Sequence, residues 1–258
     1  MSNKKENLIK LLEFIDEVSN EPGNEWFKEK LYTKFREPNS PAIDEIYEYC
    51  IRKIIADQAD KFYNDFKLLP IKEKLIKDFI RMEQFRREDN FEDFCLGMHQ
   101  QFEAIVNFLC DTQEEFCNKI ILDKNKPAYR IKNKDKTYSE YKLWQLILTT
   151  FKTQDDANKI FDQKIIRWEY PFKLKAVIYY YCFDGKIWDY FRFKDYYDLL
   201  NEIYQSRNLN HRGGYQTENQ KLITLRILSE KHKYYFKFLG LLEDFTTKTN
   251  SKTIILCS

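Results

Sequence analysis

The stretch Tyr204–Gly214, YQSRNLNHRGG, closes a run of amphipathic helix and decides how the chain is read. Upstream of it, Tyr196, Leu200 and Ile203 recur at helical spacing, and Arg207 and His211 continue the series, so all five share one face of a helix expected over 194–211. An apolar stripe that ends in a guanidinium and an imidazole must meet solvent, an anion or another chain there, because burying both without partners costs several kcal/mol. Gly213 and Gly214 then let the backbone leave the helix through positive φ. The helix dipole alone also favours Arg and His in a last turn, so this placement has a purely structural explanation as well.

The same three-four spacing extends outward in both directions. Leu8, Leu11, Leu12, Ile15 and Val18 form one helix face that Asn20-Glu21-Pro22-Gly23 stops, and a short helix carries Trp26, Phe27, Leu31 and Phe35. Ser40-Pro41 reads as a cap and first-turn proline for a long helix through Ile43, Ile46, Tyr47, Cys50 and Ile54, which Pro70 interrupts. Further helices are expected over 71–88, 91–110 and 112–121, the last capped by Asp111, and over 139–152, 154–166 and 171–182, with a turn at Asp184-Gly185. Thr217-Glu218-Asn219-Gln220 has the form of a capping box for one long final helix through Leu222, Leu225, Leu228, His232, Phe236, Leu239, Leu242 and Phe245. With only six Gly and six Pro in 258 residues, too few for a protein of many tight turns, the fold class is all-α, a multi-helix bundle.

The helical pattern lapses at DKNKPAYRIKNKDKT, 123–137, where Lys124, Lys126, Arg130, Lys132, Lys134 and Lys136 cluster beside Lys119. This divides the chain into a helical N-terminal region, 1–122, a basic segment, 123–137, and a C-terminal helical domain, 138–258. The basic segment reads as a solvated linker, or as an arm or small hairpin that contacts phosphate, with Lys132 and Lys134 as its candidate RNA-binding residues.

Composition narrows the remaining classes. The net charge is +2, from 43 basic and 41 acidic residues, so bulk attraction to a polyanion is not implied and any such binding needs a local patch. MSNKKENLIKLLEF lacks the apolar core of a signal peptide, and no apolar run is long enough to span a bilayer, so a cytoplasmic chain with no membrane partner is expected. The six cysteines form no CxxC pair and read as reduced thiols. His99, His211 and His232 are too scattered for a metal motif, no nucleotide-binding glycine loop is present, and neither metal nor cofactor is expected. His99 and His232 have no charged companion at a telling spacing and read as satisfied or solvent-facing.

The order Arg207, Asn208, His211, Gly213 before the last helix of an all-helical domain resembles the HEPN superfamily of RNA-cleaving domains, over about 139–247 at the level of fold. Three residues intervene between Arg207 and His211, a closer spacing than is usual in that family. The resemblance implies a metal-independent endoribonuclease of prokaryotic antiviral defence or a toxin–antitoxin system. Its catalytic residues would be Arg207, Asn208 and His211, with Arg212 as an accessory contact to the RNA backbone. It further implies a homodimer through the Arg207/His211 face, and an antitoxin or defence-complex partner. In this reading residues 1–122 serve as a sensor, regulatory or dimerisation region. A non-catalytic helical module that binds RNA or another protein fits the same sequence.

Overall fold

The computed structural model describes residues 2–24, 26–27, 30, 42–151, 153–187, 189–206 and 218–253. The chain is an all-α multi-helix fold with one small two-stranded sheet, and it forms two compact units, 1–58 and 59–258.

In the first unit, α1 (Ser2–Asn20) ends where the sequence places its stop. Gly23 adopts φ 93°, and the Asn24 side-chain amide donates to the Val18 carbonyl at 2.9 Å, satisfying an acceptor that the helix end leaves open. Val18 and Phe27 are the buried pair, packed by Phe14, Ile15, Ile46 and Tyr49. Trp26 and Tyr49 meet edge-on at 6.0 Å. The helix α2 (Ala42–Phe62) contains the division between the two units.

The second unit begins with the end of α2 and continues through α3 (Leu69–Arg87), α4 (Phe91–Thr112) and α5 (Glu114–Leu122). Pro70 sits in the first turn of α3, where a missing N–H is harmless. Asn90 caps α4 by accepting the Asp93 amide at 3.3 Å. Along α4, Phe94, Cys95, Met98, Phe102, Ile105, Val106 and Leu109 are buried, and α3, α8 (Tyr170–Val177), α9 (Tyr190–Ser206) and α11 (Lys231–Lys252) all pack on it. Gly97 permits the approach of α3: a Cβ there would stand 3.1 Å from that of Met82. One continuous core runs from Ala59 to Phe245.

Several boundaries differ from the sequence expectation. The cap of α5 is Gln113, while Asp111 lies inside α4, because the apolar face of α4 continues through Cys110 and holds the chain helical past it. Of the two readings of the basic segment, linker or arm and hairpin, the structure gives the hairpin, which lies inside the second unit: β1 (Pro127–Lys132) pairs antiparallel with β2 (Tyr138–Lys142). The helix expected over 139–152 is therefore replaced by β2 and the short α6 (Leu143–Ile147). Tyr141 belongs to the strand period, its ring stacked on Tyr129 at 4.7 Å. The helix expected over 154–166 is α7 (Gln154–Phe161), followed by a 3-10 turn at Ile165–Arg167. After α8 the chain winds into a π-helical turn, Ile178–Cys182, and leaves it through Asp184 and Gly185, both at positive φ (55° and 66°). The single final helix is in fact two, α10 (Glu218–Ser229) and α11, broken at Glu230.

Candidate functional site

The predicted catalytic stretch follows α9 in the sequence, and the sequence explains how that helix is held. Asp189 caps its start, with Oδ1 accepting the amides of Phe191 at 2.9 Å and Arg192 at 3.2 Å. The predicted stripe faces the core: Leu200 and Ile203 are buried, and the Tyr196 hydroxyl donates to Asp244 at 2.9 Å. Burial beside Asp244 and Cys182 pushes the Tyr196 phenol far above its ordinary range, so it acts as a fixed donor. Ser206, the last residue of α9, is buried. Arg207, Asn208, His211 and Arg212 lie outside the described residues, as does Thr217 of the expected capping box.

Around the last turn of α9 the structure gathers groups that sequence reasoning had set aside. His99 on α4 is only 2% exposed, with Tyr170 edge-on at 5.0 Å on one side and Tyr204 at 5.3 Å on the other. Its Nε2 lies 3.9 Å from Glu103 Oε2. Glu103 in turn borders a polar groove of about 400 Å³ between α3 and α4, with Lys74, Asp78, Arg81, Gln100 and Asn107. Arg81 bridges Asp78, at 3.1 Å, and Gln100. The buried ammonium of Lys173 donates to Asn107 at 2.6 Å and, at 3.4 Å, to the Ile166 carbonyl. The cluster sets a buried imidazole beside a partly exposed carboxylate, and it borders Tyr204, three residues before Arg207. No spacing rule finds it, because Tyr170 and Tyr204 come from helices far from His99 in sequence. Of the two fates expected for His99, the structure gives the buried and partnered one.

A second buried cation stands on α8. Lys175 donates to the Thr149 hydroxyl at 2.8 Å and lies 4.8 Å over the Tyr197 ring. Burial lowers its pKa to about 8, against a smaller opposing pull from Asp198.

Lys132 and Lys134 sit at the other end of α9. Tyr129 of β1 stacks between Tyr141, at 4.7 Å, and Tyr190, at 4.3 Å, so the hairpin rests on the first residue of α9. Ser206 ends that helix about 25 Å away along its axis. Lys132 closes β1 opposite Tyr138, and Lys134 lies in the turn; both are exposed. The turn is built by Asp135, whose Oδ1 accepts the Thr137 amide at 3.0 Å and hydroxyl at 2.6 Å, holding its carboxyl below the usual range. Lys136 takes φ 69° there.

Among the described residues, Cys50, Cys95, Cys110, Cys117 and Cys182 are free thiols, and burial raises the pKa of each. No group of three or more His, Cys, Asp or Glu among them is arranged to hold a metal ion, and no helix among them is long and apolar enough to cross a membrane. Comparison with known proteins finds no matching family model, no matching curated protein and no matching solved structure.

Proposed function

We propose that the chain is a HEPN-like, metal-independent endoribonuclease acting in the cytoplasm, in antiviral defence or a toxin–antitoxin system. One observation carries most weight in its favour: the stripe of α9 is core-facing through Ile203, and its last turn, at Tyr204, touches the buried His99. The sequence that follows supplies a guanidinium, an amide and an imidazole within five residues, Arg207 to His211.

In the proposed reaction a ribose 2′-hydroxyl attacks the adjacent phosphorus and the bond to the 5′-oxygen breaks. The products are a 2′,3′-cyclic phosphate and a 5′-hydroxyl. His211 moves the proton, since an imidazole exchanges protons readily near neutral pH. Arg207 offers a fork of donors to the non-bridging oxygens as their charge grows, and Asn208 orients the phosphate. Arg212, Lys132 and Lys134 bind the RNA backbone. A single Arg–His pair makes a sparse site, so two copies are proposed to face one another as a homodimer, and an antitoxin or defence partner to restrain them.

RNA cleavage in EDTA tests this reading. Wild type is expected to cut, and His211→Ala to lose about 10²–10⁴-fold in rate. Activity abolished by EDTA, or kept in His211→Ala, would count against the mechanism.

A second reading, a non-catalytic interaction module, is favoured by a different observation. Leu222, Leu225 and Leu228 on α10 and Phe236 on α11 are large apolar side chains left exposed. Under that reading Leu225→Glu abolishes partner capture, and no variant affects RNA cleavage because none occurs.

A further inference from the structure

We infer that the outer face of the β-hairpin and the Gly185 turn beside it form a docking cleft for single-stranded RNA, in which Tyr138 stacks on a base while Lys186 and Lys132 face phosphates. The proposal rests on the ribonuclease reading for its ligand and adds where, away from the catalytic stretch, the strand is held.

The geometry begins with the strand register. Arg130 pairs with Glu140 and Lys132 with Tyr138, so these four side chains stand on one face of the hairpin. The opposite face carries Tyr129 and Tyr141, whose stack with Tyr190 fixes the hairpin to α9. The outer face is therefore presented by a rigid support, with its ordering entropy already spent in folding. Beside it opens a cleft of about 470 Å³, bordered by Tyr129, Arg130, Tyr138, Gly185 and Lys186. That volume lies within the range of sites that enclose small ligands, roughly 300–1,000 Å³.

Tyr138 is 63% exposed, and no ring among the described residues packs on it. A tyrosine in a strand ordinarily covers a neighbour, and Tyr129 and Tyr141 do so, with Tyr190 of α9 completing their stack; the Tyr138 ring is left as an open platform.

The charges around it are unbalanced in one direction. Three carboxylates here are ion-paired: Glu140 with Arg130 at 2.8 Å, Asp184 with Lys252, and Asp123 with Lys119 and Lys126; Asp135, held by the Thr137 amide and hydroxyl, keeps its charge in the turn between Lys134 and Lys136. Lys132, Lys134, Lys136 and Lys186 make no ion pair with any described residue. A chain of net charge +2 thus concentrates unpaired cations around one exposed aromatic ring. An aromatic platform among unpaired cations matches the alternation of base and phosphate in a single strand. A duplex hides the faces of its bases, so it satisfies the cations alone.

The test uses the full-length chain carrying His211→Ala, which keeps the RNA intact, and a fluorescein-labelled single-stranded oligoribonucleotide of about 12 nucleotides followed by anisotropy. Tyr138→Leu is expected to weaken binding about tenfold, and Tyr138→Phe to leave it within about twofold, because stacking needs the ring and not the hydroxyl. Lys186→Glu should weaken binding and flatten its salt dependence. Unchanged thermal melting of each variant verifies that the fold is intact. Equal affinity of the parent and Tyr138→Leu, or equal affinity for a duplex of the same sequence, overturns the proposal. The nuclease reading fails separately: Tyr138-dependent binding by a wild-type chain that cuts no RNA leaves the docking cleft standing. Conversely, His211-dependent cleavage with binding indifferent to Tyr138 removes the cleft and leaves the nuclease.

Discussion

Helix α4 and the β1–β2 hairpin both place polar residues beside aromatic ones, and they do so to opposite ends. On α4 the polar groups are drawn inward and given partners: His99 lies between two tyrosine rings, Gln101 accepts from the Tyr63 hydroxyl at 2.5 Å, and Asn107 receives the buried ammonium of Lys173. On the hairpin the Tyr129 and Tyr141 rings stack against α9, while the Tyr138 ring stays exposed and Lys132, Lys134 and Lys136 stand outside with no ion pair to any described residue. Burial makes a polar side chain a structural commitment, because an unsatisfied one costs about 1–3 kcal/mol. Exposure leaves its charge available to a ligand. The contrast separates groups that specify the fold from groups free to recognise something.

The largest effect is expected on the interior side. Phe102 is 1% exposed and meets Phe245 edge-on at 5.2 Å, so Phe102→Ala should cost about 3–5 kcal/mol and lower the melting temperature by about 10 °C in a scanning experiment. A drop of a degree or two would mean that α4 is not the hub of the core.

Tyr129→Ala comes next, removing the central ring of the three-ring stack. A loss of about 2 kcal/mol is expected, confined to the hairpin. Hydrogen exchange should show faster amides in 127–142 and little change along α4.

Lys175 tests what burial does to a lysine. With its pKa lowered to about 8, the folded chain gives up a proton that the unfolded chain keeps up to about 10.5. The unfolded state binds more protons across that window, so stability rises with pH there; below it both states are charged and the penalty is constant. Lys175→Met should lose this rise and be more stable at pH 7 by on the order of 1–2 kcal/mol, measured by urea unfolding at pH 7 and pH 10. An unchanged slope would show that the ammonium is solvated.

The smallest effect on stability belongs to the hairpin turn. Lys134→Glu should change the unfolding free energy by no more than about 0.5 kcal/mol. Its effect should appear instead in RNA binding, where the slope of log affinity against log salt falls by about 0.7 for each phosphate no longer neutralised.

Legibility in the sequence follows the same division. The stripe Tyr196–Leu200–Ile203 and the buried face of α4 belong to long helices, where the apolar period repeats often enough to declare the buried side. The hairpin was harder to read. Tyr138–Lys142 alternates over one short strand, and its tyrosines and lysines suit an exposed helix equally well until Tyr129 and Tyr190 are brought together. The break at Glu230 was hidden for a related reason, since the apolar positions of α10 and α11 continue in register across it. At the candidate site, the cap of α9 at Asp189 and the buried stripe are local and periodic features. The approach of His99 to Tyr170 and Tyr204 joins three separate helices, and no local pattern encodes it.

By itself, the sequence determined the helical class, the approximate ends of most helices, the buried face of α9 and the order of Arg207, Asn208 and His211, because these depend on residues within a few turns of chain. Only the tertiary structure decided that the basic segment is a hairpin anchored on α9, that His99 is interior, and which lysines are buried and which are free. Those outcomes depend on which distant side chains meet, and local periodicity carries no information about that.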